Sequence, residues 1–309
     1  MDAAERAAGR RASGVCRPLT SYINRVYEIG LEDGGHLIAK FYRPGRWTPE
    51  TLQDEHDFLL ELAAEEIPVV APLAGEGGST LHEDDGICFA LFPRMGGRAC
   101  DEPAPEEWRQ IGRLIGRIHA TGARKPAPHR IRIDPRHSSR THLEFLRASG
   151  VIPSEVEGRY LDAAQALLDR IAPRFEGVDT QRLHGDLHRM NLLWRPDEGF
   201  HAIDFDDMGT GPAIQDLWML LPDRLPAARR EFDWLLEGYE LFAEYDDAQT
   251  RLIEPLRAMR FLHYAAWCAR QKADGGRGLV GDDWGGVEFW RRELADLQRQ
   301  SQDIEDLAG

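Results

Sequence analysis

Four residues within 21 positions, His184, Asp186, Asn191 and Asp204, carry side chains that can handle a phosphate and a metal ion, in the stretch LHGDLHRMNLLWRPDEGFHAIDFDD over 183–207. An amide at Asn191 and a carboxylate at Asp204 are hard oxygen donors, the kind Mg2+ selects. A second carboxylate kept off the metal can orient and deprotonate an attacking hydroxyl. That division places Asn191 and Asp204 on Mg2+ and Asp186 on the hydroxyl. The chemistry it points to is phosphoryl transfer from a nucleoside triphosphate.

The order His184-Gly185-Asp186, then Asn191, then Asp204-Phe205-Asp206 parallels the H-R-D-x-x-x-x-N and D-F-G elements of protein kinases. Apolar runs at 192–194 and 200–203, with Arg195-Pro196-Asp197-Glu198-Gly199 between them, predict a hairpin that returns Asp204 to the loop. A rival reading takes His184, Asp186 and His188, which alternate and would share one face of a strand, as a transition-metal site of a hydrolase. It leaves Lys40, Glu55, Asn191 and Asp204 without a role. In a third reading His184 and His188 only hydrogen-bond the loop backbone.

The elements that must position these groups are legible upstream. Strands are predicted over 17–21, 24–31 and 36–42, the last two joined by an Asp33-Gly34-Gly35 turn. Lys40 ends the run Leu37-Ile38-Ala39-Lys40, as the phosphate-binding lysine of a kinase does. It is one of three lysines, the others being Lys125 and Lys272, so 35 of the 38 Lys+Arg are arginine. An ammonium is a compact point charge and a guanidinium a planar fork, so a lysine kept in an apolar run suggests a need for the ammonium. A helix over 51–66 has Leu52, Phe58, Leu59 and Leu62 at helical spacing. That stripe flanks Glu55, so it is the candidate to point inward as the partner of Lys40, in preference to Asp54 or Asp57; the alternative is that it is one of several solvated acids.

Further strands are predicted at 69–74 and 87–92, and helices at 108–121, 141–148, 155–175, 214–221, 227–245, 248–272 and 288–307. Asp216, in Gln215-Asp216-Leu217, is expected to brace the catalytic loop through backbone hydrogen bonds. The expected fold is α+β with two lobes: a small antiparallel sheet with one helix and a larger, mainly helical lobe. The expected organisation is a disordered tail at 1–14, a nucleotide-binding lobe at 15–94, a hinge at 95–107 and a helical lobe at 108–309. Adenine is expected against the strand near 89–92.

Composition narrows the class. A chain of 309 residues with 42% hydrophobic content can bury two cores. No apolar run approaches the roughly 20 residues of a membrane helix, and Cys16, Cys88, Cys100 and Cys268 lack paired spacing. The net charge of −15 argues against nonspecific nucleic-acid binding. A cytoplasmic monomer is expected, with no nucleic-acid or membrane partner.

Several stretches resemble the stress response kinase A family: Ser21 to Tyr27 (SYINRVY), Lys40 to Pro44 (KFYRP), LHGD at 183–186, GPAIQDLWMLL at 211–221 and IEPLRAMR at 253–260. The resemblance runs from about Leu19 to the region of Trp284 and Trp290. It implies bacterial Ser/Thr protein kinases of the aminoglycoside/choline phosphotransferase fold, using ATP and Mg2+ in a stress response. It further implies Asp186 as proton acceptor, Asn191 and Asp204 as Mg2+ ligands, with Asp204 also catalytic, and Ser21 at the ATP site in the turn between the first two strands. No Gly-x-Gly-x-x-Gly covers the phosphates, so Ser21 and the backbone at 22–24 would. The implied acceptors are Ser/Thr hydroxyls of proteins, the enzyme itself among them. The alternative acceptor is a small alcohol or amine such as choline, homoserine or an aminoglycoside. Two departures stand out. The family pattern has a helical segment before the first strand, where 1–14 reads as an Arg/Ala-rich tail. Leu187, Arg189 and Met190 are also larger than the pattern's loop residues.

Overall fold

A computed structural model of the chain describes residues 1–21, 23–273 and 284–306. Tyr22, in the turn expected at the ATP site, and Leu307, the expected end of the last helix, lie outside the described residues. The chain divides into two compact units. The first comprises Met1–Arg130, Gln181–Gly209 and Asp216–Tyr245, and the second Ile131–Thr180, Thr210–Gln215 and Asp246–Gly309. The expected hinge at 95–107 falls inside the first unit.

The first unit opens with helix α1 (Asp2–Ala8), followed by strands β1 (Ala12–Leu19), β2 (Arg25–Leu31) and β3 (His36–Phe41). Helix α2 (Pro49–Ala64) and strands β4 (His82–Asp84) and β5 (Ile87–Pro93) complete an antiparallel five-stranded sheet of order β1-β2-β3-β5-β4. The predicted turn joins β2 to β3: Gly34 takes φ 83°, and Leu31 N–H donates to the Gly35 carbonyl at 2.8 Å. That positive φ suits glycine, whose missing Cβ removes the clash. In the resulting register Val26 faces Lys40 and Lys40 faces Ala90, so the lysine sits in the middle of the sheet.

Two expectations need correction. Residues 2–8 are a helix and not a disordered tail, because Ala3 and Ala4 are buried against Ile29, Ala39, Phe89 and Leu91 of the sheet. Seven residues are too few to be helical alone in water; small alanine side chains let the turn lie close to the strands, and packing holds it. The segment 69–74 is not a strand beyond a single bridge from Val69 to Ala202. Pro68 and Pro72 carry no amide hydrogen, so they interrupt any ladder. β4 takes the remaining place in the sheet.

Helix α2 starts at a Thr48 cap with Pro49 in its first turn and buries Leu52, Glu55, Phe58, Leu59 and Leu62, the stripe that the spacing predicted. Helix α3 (Pro105–Gly122) buries Ile111, Leu114, Ile115 and Ile118. It packs on α7 (Arg229–Tyr239) through glycines: a Cβ on Gly112 would lie 2.0 Å from the Leu235 carbonyl oxygen, and one on Gly238 2.0 Å from that of Arg109. Strand β6 (Gln181–Leu183) leads into the loop that carries Asp186, and β7 (Leu192–Arg195) pairs with β8 (Gly199–Ala202) as the expected hairpin.

The second unit is mainly helical: α4 (Arg140–Ser149), α5 (Ser154–Ile171), α8 (Ile253–Ala273) and α9 (Val287–Asp306). Tyr160 of α5 meets Trp290 of α9 edge to face at 4.9 Å. The short strand β9 (Gly209–Gly211) and helix α6 (Ile214–Trp218) carry the chain across the division. Among the described residues no helix is long and apolar enough to cross a membrane.

Candidate active site

The loop after β6 is held from below by one buried carboxylate. Asp216, fully buried, accepts the His184 amide at 2.7 Å and the Gly185 amide at 2.8 Å, and meets His119 Nε2 at 3.1 Å. This is the brace expected of Asp216. Gly185 takes φ 86°, which lets the chain reverse at that point. His184 Nε2 pairs with the Ile203 carbonyl at 2.8 Å, and its Nδ1 accepts the Asp186 amide at 3.4 Å. Both ring nitrogens are therefore committed to the loop, as in the structural reading of His184.

The same loop brings Asp186, Asn191 and Asp204 together. Asn191 Nδ2 donates to the Asp186 carbonyl at 2.9 Å, and the Ile203 amide donates to the Asn191 carbonyl at 3.0 Å. With its NH2 engaged by the loop, the buried Asn191 amide keeps its oxygen, a hard donor, off that hydrogen bond. Asp204 follows with φ 62° and a side chain 57% exposed, its Oδ1 3.3 Å from the Lys40 ammonium. Phe205 points the other way, buried against His184 at 4.4 Å and Phe58 at 6.0 Å. An Asp-Phe-Asp run thereby delivers one accessible and one buried carboxylate. An amide oxygen and a carboxylate are the donor types that a hard divalent cation takes. Asp186 lies 3.6 Å from His188 Nε2.

Lys40 and Glu55 also meet, though not as a tight pair. The ammonium is 2.8 Å from Asp206, 3.3 Å from Asp204 and 3.9 Å from Glu55. Burial alone would lower the Lys40 pKa, but the carboxylates of Asp206, Asp204 and Glu55 lift it well above its ordinary value. Glu55 is pushed up to about 7 by burial, with Lys40 and then Arg130 pulling against it. For Asp206, burial would raise the pKa, yet Lys40 and Arg46 outweigh it and hold the carboxyl well below the usual carboxylate range. Ser21 lies half-buried in the β1–β2 turn. The turn residue that joins the charged cluster is Asn24, whose Nδ2 donates to Asp206 at 2.9 Å.

Asp206, Asn24, Arg46 and Arg130 were not singled out from the sequence. Arg46 forks to Asp206 and, at 2.6 Å, to Asp207. Arg130 is buried and donates to the carbonyls of Met208 and Asp206, each at 2.6 Å, while lying over Trp47 at 4.7 Å. These arginines pin the segment after Asp204. No spacing marks them, because they come from loops 160 and 76 residues away from Asp206. Asp206 lies two residues from Asp204, and nothing local in the sequence says which of the two turns inward.

The profile of the phosphotransferase enzyme family matches residues 15–253. "Stress response kinase A" of Escherichia coli (strain K12) is 38% identical over 299 residues, covering 96% of this chain and 90% of that protein. "Serine/threonine protein kinase RdoA" of Salmonella typhimurium (strain LT2) is 38% identical over 286 residues, covering 92% and 86%. Among solved structures, amicoumacin kinase hAmiN in complex with AMP-PNP, Ca2+ and Ami superposes with a TM-score of 0.74 at 20% identity, covering 98% of this chain and 91% of that one. At that identity the likeness shows the fold, α+β and kinase-like.

Proposed function

The chain belongs to the phosphotransferase enzyme family, alongside the stress response kinase A proteins, and from that premise we propose that it transfers the γ-phosphoryl group of ATP, with Mg2+, to Ser or Thr hydroxyls of proteins. The observation that carries the reading is that one loop and hairpin tie Asn191 to Asp186 at 2.9 Å and set Asp204 3.3 Å from the Lys40 ammonium. Lys40 meets the phosphates with its ammonium, and Ser21 belongs to the turn that covers them. Asn191 and Asp204 hold Mg2+, which neutralises phosphate charge. Asp186 orients the acceptor hydroxyl and takes its proton as the oxygen–phosphorus bond forms and the bond to ADP breaks. Most of the acceleration comes from positioning and charge neutralisation, since this transition state asks little covalent chemistry of the protein.

The protein acceptor is supported by the names of the 38% identical relatives, one of them a serine/threonine protein kinase. A cationic small molecule is the second reading, favoured by the net charge of −15. Incubation with γ-labelled ATP, Mg2+ and a generic protein acceptor separates them. Acid-stable label on protein is expected, and Asp186→Ala should lower its rate by about 10²–10⁴ with nucleotide affinity unchanged. ADP release without label on protein would shift the acceptor to small molecules. Equal rates in parent and Asp186→Ala would remove Asp186 as the base.

A further inference from the structure

Asp206 is 5% exposed, yet it gathers donors from three separate stretches of chain. Lys40 of β3 meets Oδ1 at 2.8 Å, and Arg46 of the following connector meets Oδ2. Asn24 of the β1–β2 turn donates to the same Oδ2 at 2.9 Å, and accepts the Arg43 amide on its own oxygen at 3.2 Å. The carboxylate is itself held in place, because Arg130 binds the Asp206 carbonyl at 2.6 Å. A buried carboxylate costs desolvation unless opposite charge and hydrogen bonds surround it, and this one has both.

Among the three carboxylates around Lys40, buried Asp206 lies nearest the ammonium, as an ion pair at 2.8 Å, while the ammonium's hydrogen bond goes to Asp204 at 3.3 Å. Asp204 is wanted by the metal. Glu55 stands 3.9 Å away, beyond hydrogen-bond reach. We infer that Asp206 is a positioning residue that fixes the Lys40 ammonium and, through Asn24, the β1–β2 turn around the nucleotide phosphates. It thereby takes the place that the Lys–Glu pair holds in the protein-kinase pattern. The inference rests on the nucleotide reading above. Asp206 does not touch the phosphates; it acts through Lys40 and Asn24.

Calorimetric titration of the full chain with ADP, with chelator and again with Mg2+, tests it in Asp206→Asn, Glu55→Gln and Asn24→Ala. Loss of one charge-assisted contact should weaken chelator-condition ADP binding about tenfold in Asp206→Asn, against less than about threefold in Glu55→Gln. In turnover the KM for ATP should rise in Asp206→Asn while the KM for the acceptor stays put, a split that general loosening of the fold would not produce. A folded Asp206→Asn that binds ADP as tightly as the parent, or more tightly, overturns the inference; so does a larger effect from Glu55→Gln. Should Asp206→Asn fail to fold, Asn24→Ala carries the test. It keeps the ion pair and cuts the tie to the turn, so ADP affinity should fall about threefold with the melting temperature unchanged, and unchanged affinity overturns the inference. Failure of the parent to bind ADP under any metal condition strikes the nucleotide reading itself.

Discussion

Asp204 holds a left-handed backbone at φ 62°, a conformation that costs a non-glycine residue about 1 kcal/mol and that Asp and Asn tolerate best. The Asp204 side chain stays 57% exposed while Phe205 beside it is buried. Asp204→Asn keeps that backbone and removes the charge. Mg2+-dependent ADP affinity should then fall about tenfold, with chelator-condition affinity little changed; a metal dependence equal to the parent's would take Asp204 off the metal. At this scale much of the site was legible, because Asp186, Asn191 and Asp204 lie close in sequence and the hairpin between them is short. Glu55 was legible from helical periodicity, and it is 1% exposed. Asp206 was not: local spacing cannot say which of two neighbouring carboxylates will meet a lysine placed by a distant strand.

The helices α3 and α7 touch backbone to backbone, and glycine makes that approach possible. Gly238→Ala would push a methyl group to 2.0 Å from the Arg109 carbonyl oxygen, and neither main chain can yield without moving its helix. The cost should be about 2–4 kcal/mol, read as a lower urea midpoint at an unchanged slope. An unchanged midpoint would mean that the helices separate freely. Among the elements, the hairpins and long helices followed their periodic patterns. Helix α1 escaped because alanines beside arginines carry almost no apolar contrast, and its burial depends on a sheet assembled later in the chain. The run at 69–74 misled in the opposite way. Its Val-Val pair favours a strand, and the prolines on either side prevent one.

Taken whole, the molecule carries a net charge of −15 and some acids whose burial opposes ionisation. Glu293 of α9 is pushed up to about 7 by burial, with Asp296 adding to the shift and Arg292 opposing it. A folded-state pKa above the unfolded one favours the native state most at low pH. The contribution is fully present below the unfolded pKa of 4.5 and is lost as pH rises through about 7. Glu293→Gln should therefore gain on the parent between pH 5 and pH 8, by about 1–2 kcal/mol after allowing for its partial exposure. Denaturation curves for both proteins at the two pH values check this, and a constant difference would contradict it. The layout of the first unit, in which the sheet comes first and its counter-charges much later, also bears on synthesis. Asn24 precedes Asp206 by 182 residues and Lys40 precedes Asp204 by 164. At roughly 5–20 residues per second, a nascent chain would carry its sheet lysine for on the order of 10 to 30 seconds before those carboxylates exist. A chain stalled anywhere in that interval lacks Asp204 and Asp206, so the charge cluster around Lys40 forms only once the later segment has been made.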